Sequence, residues 1–127
     1  LKTLPNNYST LLQNPTPAVR PRHIRHAAEY IHTHWASPIR LDDLVTASGV
    51  SKRSLHSGFR RHFGVPPMTY LRNVRLDRAR LRLSNALAAE ASVTAIALDC
   101  GFGHLGKFAA AYRERFGEQP SETLANA

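Results

Sequence analysis

Positively charged side chains are concentrated in one stretch of this 127-residue chain. Between residues 52 and 82, nine lysines and arginines occur with a single acid, Asp77. They are Lys52, Arg53, Arg60, Arg61, Arg72, Arg75, Arg78, Arg80 and Arg82. A solvated surface usually mixes both signs, so this cluster, in a chain of formal net charge +8, predicts a polyanionic partner. A basic surface without a partner is the alternative interpretation.

Other reactive or ligating residue types do not form a recognisable site. The seven histidines include His23 and His26 at helical spacing, but no cysteine or acid lies at a zinc-ligand spacing from them. The serines lack a nucleophile elbow and a base. Gly101-Phe102-Gly103 lacks a preceding strand and the rest of a dinucleotide-binding loop. We therefore expect no catalytic residue, no metal site, no cofactor and no enzyme activity.

Cysteine content and hydropathy restrict where the chain works. Cys100 is the only cysteine, so no disulfide within the chain is possible, and this fits a reducing compartment. Its position beside Gly101 in an apolar stretch predicts a small buried side chain rather than a nucleophile. The chain has no run of about 18 apolar residues and no secretory signal. We expect a cytoplasmic protein with no membrane partner, and a fragment of a longer chain because it begins at Leu1.

Helices are the elements that the apolar periodicity predicts for holding these charges. Residues 1–20 contain three prolines and no clear period, which predicts the remnant of an interdomain linker. Order is expected from Pro21. One face of the first helix is formed by Ile24, Ala27, Ala28, Ile31 and Trp35. No segment alternates with a period of two, so we expect an all-α fold of about seven helices.

A short acidic helix, a glycine turn and a basic amphipathic helix follow one another between residues 41 and 63. Asp42 and Asp43 suit the positive end of a helix dipole, and Gly49 can adopt the positive φ of a helix end. Ser51 is a good N-cap for the next helix. That helix has Leu55, Phe59 and Phe63 on one face and Arg53, Ser57, Arg60 and Arg61 on the other. This order is typical of a helix-turn-helix.

The pattern aromatic-x-x-x-Phe-Gly-x-x-Pro occurs twice and each time closes the same kind of module. The copies are Phe59, Phe63, Gly64 and Pro67, and then Tyr112, Phe116, Gly117 and Pro120. In the second module we expect a helix from Val93 to Cys100, capped by Ser92, and another from His104 to Phe116. The inward residues of the latter are predicted as Leu105, Phe108, Tyr112 and Phe116. The repeat indicates a duplicated helix-turn-helix module.

One uninterrupted helix is predicted between the two modules, from about Met68 to Leu87. Its apolar positions are Tyr70, Leu71, Val74, Leu81 and Leu87. At 1.5 Å per residue this helix would be about 28 Å long. We expect a first helix-turn-helix subdomain over 21–66, a connecting helix over 67–87 and a second subdomain over 88–127.

The stretch from Leu41 to Leu124 resembles the DNA-binding domain of the AraC/XylS family of bacterial transcription regulators. The more specific matches to the family's spacing are Ile96-Ala97, Gly101-Phe102, Phe108, Tyr112, Phe116-Gly117 and Pro120. The first module also matches, from Leu41 through Gly49 to Phe63-Gly64. The resemblance implies an AraC-type DNA-binding domain over 21–127, with two recognition helices in successive major grooves of a promoter.

The resemblance also implies which side chains would touch DNA. In the first recognition helix, base contacts would come from Arg53, His56 and Ser57. Arg53 is best suited to read a guanine, with a phosphate contact as the alternative. In the second recognition helix, the groove-facing residues would be Leu105, Gly106, Lys107 and Ala110. Phosphate contacts would come from Ser51, Lys52, Arg60, Arg61, Arg72 and Arg113. Among the groove-facing residues of the second recognition helix, only Lys107 can donate a hydrogen bond from its side chain. Gly103 also stands where a serine would cap the helix better. The second recognition helix would therefore serve mainly as a clamp on the DNA backbone.

The partners implied by the resemblance are double-stranded promoter DNA, RNA polymerase and a missing N-terminal effector and dimerisation domain. The protein would be a nucleoid-associated activator, with repression as the alternative. Two other classes of function stay open. One is a non-specific nucleic-acid binder, which the few polar residues of the second recognition helix favour. The other is a protein-interaction module.

Overall fold

Seven helices and no strand are formed by the residues that the computed structural model describes, 21–86 and 92–127. They are α1 (Arg22–His34), α2 (Leu41–Ser48), α3 (Lys52–Phe63), α4 (Pro67–Ser84), α5 (Val93–Asp99), α6 (Leu105–Phe116) and α7 (Pro120–Ala125). The prediction of an all-α fold is confirmed. The connecting helix α4 ends at Ser84, earlier than predicted. The expected linker over 1–20 and the predicted position of Leu87 lie outside the described residues.

The chain divides into two compact units. The first unit consists of the described residues up to Tyr30 and of Arg40–Pro67, so it contains α2, α3 and most of α1. The second unit consists of Ile31–Ile39 and the described part of Met68–Ala127, so it contains α5, α6, α7 and nearly all of α4. Each unit therefore carries one of the two helix-turn-helix modules.

Capping residues close in sequence determine where α2 and α3 begin and end in the first unit. The backbone N–H of Arg40 donates to Oδ2 of Asp43 at 2.8 Å, which satisfies a donor at the start of α2. Gly49 ends α2 with a φ of +76°, and Gly64 ends α3 with a φ of +78°. A residue with a Cβ is strained at such a φ, so glycine is what allows α3 to follow α2 after a tight turn.

The core of the first unit comes from one face of each of its helices. Its buried residues include Ile24, Ala27, Ala28, Leu44, Leu55 and Phe59. Gly58 lies directly against Ile24, because a Cβ built on Gly58 would stand 2.2 Å from Cδ1 of Ile24. The absence of a side chain at this position lets α1 approach α3 closely.

Gly58→Ala should destabilise the protein even though alanine favours helices. The new methyl group would overlap Ile24, which is fully buried. Such overpacking costs about 1–3 kcal/mol, against a propensity gain of up to about 1 kcal/mol. Gly106→Ala is the matched control, because the nearest atom to its new Cβ, at 3.1 Å, belongs to the exposed ring of His104. We expect the urea midpoint to fall for the first variant only. Equal midpoints would show that α1 does not press on α3 here.

A cluster of buried side chains from α4, α5 and α6, with Cys100 directly after α5, forms the core of the second unit. Its members are Leu76, Ala79, Leu83, Ile96, Ala97, Cys100, Phe108 and Tyr112. Trp35 is half-buried and packs against this cluster. The hydroxyl of Tyr112 donates to Oγ1 of Thr123 at 2.7 Å, which connects α6 to α7. The prediction that Cys100 is a buried side chain is confirmed, and Trp35, which was predicted on the apolar face of the first helix, contacts this core.

The predicted apolar face of α4 is wrong at Leu81. Leu71 and Val74 are buried as predicted, but Leu81 is 56% exposed. The buried leucines further along α4 are Leu76 and Leu83, which the sequence analysis did not assign to this face. Successive residues of a helix turn by about 100°, so Leu81 lies about 160° around the helix from Leu83. One helix cannot bury both residues against the same core.

Candidate nucleic-acid interface

α3 is held by its apolar face and leaves its positive face in solvent. Oγ of Ser51 accepts a hydrogen bond from the backbone N–H of Ser54 at 3.1 Å, which caps the helix. Leu55 and Phe59 are fully buried. The exposed residues of the opposite face include Ser51, Lys52, Arg53, Ser57, Arg60 and Arg61, while His56 is half-buried. Within 21–86 and 92–127, none of the four cations of this face forms an ion pair.

An open cleft of about 460 Å³ lies along one side of α3. Arg53, Ser57 and Arg61 line it, and because they are four residues apart they form one stripe of the helix. Pro21 and His23, at the start of α1, also line it. The cleft could not be predicted from helical periodicity, because it depends on the close approach of α1 to α3. The glycine at position 58, inside a strong helical pattern, was the one signal that could have indicated it.

α6 repeats the geometry of α3 within the second unit. Both helices have 12 residues, and α6 ends at Gly117 with a φ of +77°, as α3 ends at Gly64. Phe108 and Tyr112 are buried on the inner face of α6. The four residues predicted to face a groove, Leu105, Gly106, Lys107 and Ala110, are all exposed. The predicted duplication of the module is confirmed.

The start of α6 differs from the prediction in two respects. The N-cap is His104 rather than Gly103, because Nδ1 of His104 accepts the backbone N–H of Lys107 at 3.0 Å. A ring nitrogen here takes the part that a serine oxygen usually plays. Leu105 is 42% exposed, so its assignment as an inward residue is wrong. As the first residue of α6, Leu105 has no preceding helical turn beside which to pack.

Four arginines of the predicted cationic cluster are engaged inside the second unit. Arg75 donates from Nε to the carbonyl oxygen of Trp35 at 2.7 Å and from Nη2 to that of Ser37 at 2.8 Å. Burial lowers the pKa of the Arg75 guanidinium. The other three are Arg78 over the Trp35 ring, Arg80 over the Phe116 ring, and Arg82 paired with Asp99 at 3.2 Å. Among the described residues, no such partner is found for the other cations of 52–82, which are Lys52, Arg53, Arg60, Arg61 and Arg72.

Two further predicted phosphate ligands, Arg72 and Arg113, are exposed in the second unit. Neither forms an ion pair with another residue of the described ranges. Arg115 differs, because it binds Oδ1 of Asp77 at 2.8 Å and Oδ2 at 3.1 Å. Arg113 and Ala110 line a shallow depression of about 510 Å³. Every residue that was predicted to contact DNA is thus exposed except His56, which is half-buried, and each unit carries some of these residues.

Comparison with known proteins gives the family. A protein-family model described as a helix-turn-helix domain matches residues 44–126. The chain is 42% identical to a probable AraC family transcriptional regulator from Rhodopseudomonas palustris CGA009. It matches that crystal structure with a TM-score of 0.78, over 84% of this chain and 98% of the other. The chain belongs to the AraC family. It is a helix-turn-helix DNA-binding domain of this family, as the sequence predicted.

Two further relatives show how much of an AraC-family regulator the chain represents. The XylDLEGF operon transcriptional activator 2 of Pseudomonas putida is 43% identical over 97 residues, which are 76% of this chain and 62% of the relative. A transcriptional regulator from Chromobacterium violaceum with an AraC-type DNA-binding domain is 31% identical, with a TM-score of 0.73 over 81% of this chain and 89% of that one. The chain thus spans less than two thirds of the P. putida activator. These relatives are transcription regulators rather than enzymes.

The histidines of this AraC-family domain are dispersed. No group of three or more His, Cys, Asp or Glu side chains that could hold a metal ion is found within 21–86 and 92–127. Nε2 of His32 lies 2.8 Å from the hydroxyl of Tyr70, and His104 caps α6. Among the helices that the structure describes, none has the length and apolar character needed to cross a membrane.

Proposed function

We propose that this AraC-family domain reads the sequence of promoter DNA through α3 and α6, each lying in a major groove. Base contacts would come from Arg53, His56 and Ser57 of α3 and from Leu105, Gly106, Lys107 and Ala110 of α6. Phosphate contacts would come from Ser51, Lys52, Arg60, Arg61, Arg72 and Arg113. The observation that carries the proposal is the matched pair of capped helices, each with buried aromatic residues on one face and a solvent-exposed opposite face. A helix presented in this way fits a major groove, which is about 12 Å wide.

The two recognition helices would enter successive major grooves of one duplex. α4 has 18 residues, and at 1.5 Å per residue it is about 27 Å long. This length is comparable with one helical turn of DNA, about 34 Å. A monomer would therefore be sufficient to contact two groove segments.

A footprint tests this arrangement. The domain should protect about two helical turns while binding as a monomer. The measurement is hydroxyl-radical footprinting on the promoter of the intact gene, together with the mass of the complex by sedimentation. Protection of a single groove segment, or binding only by a dimer, would contradict the proposal.

The salt dependence of binding should be steep. If about six cations meet phosphates, log K should fall against log salt with a slope of about −5. Five of them are the proposed phosphate contacts Lys52, Arg60, Arg61, Arg72 and Arg113, and Lys107 is the sixth if it meets a phosphate rather than a base. Arg60→Ala should reduce the magnitude of the slope by about 1. Arg82→Ala is the control and should leave the slope unchanged, because Arg82 is paired with Asp99. A slope near zero, or the same loss from both variants, would contradict this assignment of the charges.

The parent protein would be a cytoplasmic, nucleoid-associated regulator that activates transcription. RNA polymerase and an N-terminal effector and dimerisation domain would be its partners. The proposal is supported by the P. putida relative, which is named a transcriptional activator and of which the chain covers 62%. A reporter gene behind the footprinted promoter should respond to the full-length protein and lose this response with Arg53→Ala. Higher expression without the protein would identify a repressor.

A second candidate function is non-specific nucleic-acid binding. It is favoured by α6, because Leu105, Gly106 and Ala110 are exposed yet have no side-chain donor or acceptor. Discrimination between bases needs directed donors or acceptors, so α6 offers little of it. Equal affinity for the cognate promoter and for random duplex would select this function over the first.

A further inference from the structure

The cleft beside α3 presents donor groups from two different helices. Arg53, Ser57 and Arg61 come from α3, and His23 comes from α1. His62 is a further lining residue, and no aspartate or glutamate is among the described residues that line the cleft. A concave surface with positive and neutral donors and no acid attracts an anion.

The position of His23 depends on the same close approach that Gly58 permits. A Cβ at position 58 would lie 3.3 Å from Nε2 of His23. The imidazole of His23 therefore lies beside the α3 backbone at Gly58, the residue that follows Ser57. His23 is half-buried and forms no hydrogen bond or ion pair with any other described residue. Within 21–86 and 92–127, its ring nitrogens therefore have no partner that would compete with a ligand.

The geometry points to a phosphate of the DNA backbone as the ligand of this cleft, held between His23 of α1 and Arg61 of α3. The inference rests on the proposed DNA-binding function and adds α1 to the surface that contacts DNA. The guanidinium of Arg61 and an imidazole N–H are both donors to phosphate oxygens. Arg53, which is two helical turns from Arg61 along the same stripe, stays available for a base edge.

The test compares His23→Ala with His26→Ala. His26 is the matched control, because it lies one turn further along α1, is exposed and does not line the cleft. Loss of one phosphate contact should weaken binding about 3- to 10-fold, for the cognate promoter and for random duplex alike, because phosphate contacts do not read sequence. His26→Ala should leave both affinities unchanged. Unchanged affinity for His23→Ala, or a loss restricted to the cognate site, would overturn the inference.

A double-mutant cycle separates a shared phosphate from a general loss of charge. If His23 and Arg61 hold the same phosphate, the losses from His23→Ala and Arg61→Ala should be coupled and less than additive in the double variant. Fully additive losses would overturn the inference. Thermal unfolding of each variant tests whether the fold is retained. If His23→Ala does not fold, His23→Gln replaces it and should show a smaller loss of affinity in the same direction.

A free anion offers the same chemistry as a DNA phosphate, and NMR distinguishes the two sources. The imidazole resonances of His23 should shift on addition of duplex DNA and stay unchanged on addition of inorganic phosphate at matched ionic strength. A saturable shift with inorganic phosphate would identify a small-anion site and overturn the inference. Either result is separate from the test of sequence reading, which compares the affinities for the cognate promoter and for random duplex.

Discussion

Arg53→Ala should weaken binding to the cognate promoter by about 1–3 kcal/mol and relax specificity at one or two base pairs. Arg53 is exposed in the first turn of α3 and forms no ion pair within the described residues, so its guanidinium is available to a guanine.

Lys107→Ala should weaken binding to cognate and random DNA alike if Lys107 meets a phosphate. Ala110→Gly should leave base preference nearly unchanged, apart from a helix-propensity cost of up to about 1 kcal/mol.

The measurement is a binding series over single-base variants of the promoter site, repeated for each protein variant. Mismatches beneath α3 should be more costly than mismatches beneath α6, and Arg53→Ala should remove the cost at the positions that Arg53 reads. If mismatches beneath α6 are as costly as those beneath α3, the predicted asymmetry is wrong. Readout through the shape and deformability of the DNA would then be the next explanation to test.

Arg75→Met should lower the free energy of unfolding by about 1.5–3 kcal/mol, the range for hydrogen bonds to a charged group, and leave the salt slope of DNA binding unchanged. The loss follows because the carbonyl oxygens of Trp35 and Ser37 would each lose their Arg75 donor. Arg75 also packs against Gly101, whose φ is +96° and whose added Cβ would lie 2.8 Å from Nε of Arg75.

Arg72→Met is the matched control, because Arg72 lies one turn earlier on α4 but is exposed. Its loss should change stability by no more than about 0.5 kcal/mol and reduce the magnitude of the salt slope by about 1. Urea unfolding and salt titrations of DNA affinity measure the two quantities. If Arg75→Met changed the salt slope and Arg72→Met changed stability, the assignment of these two arginines would be reversed.

Local chemistry made most of the fold predictable from the sequence. Ser51 and Ser92 both accept a backbone N–H at a helix start, and Gly49, Gly64 and Gly117 all have positive φ values. The buried faces of α3 and α6 follow from apolar residues at helical spacing. These signals operate within one or two helical turns, so they do not require knowledge of the rest of the chain. The repeat of the aromatic–Phe–Gly pattern extended the prediction from single helices to two equivalent modules.

The candidate interface was predictable only in part. The exposure of Lys52, Arg53 and Lys107 followed from their place opposite an apolar face, because a helix that buries one face must leave the other in solvent. His104 was missed as the cap of α6 because caps are usually Ser, Thr, Asp or Asn, and none of these lies between Gly101 and Leu105. The contacts of each exposed residue with DNA stay predictions.

By itself, the sequence determined the helices, the caps at Ser51 and Ser92, the duplicated module and the face of each recognition helix that is exposed. Only the tertiary structure decided which cations are available to DNA, because Arg75 finds its carbonyl acceptors 40 and 38 residues away in the chain. It also decided that Leu81 is exposed and that His23 lies beside α3. Periodicity shows which face of a helix is apolar, but the partner of a side chain depends on distant segments that are brought together by packing.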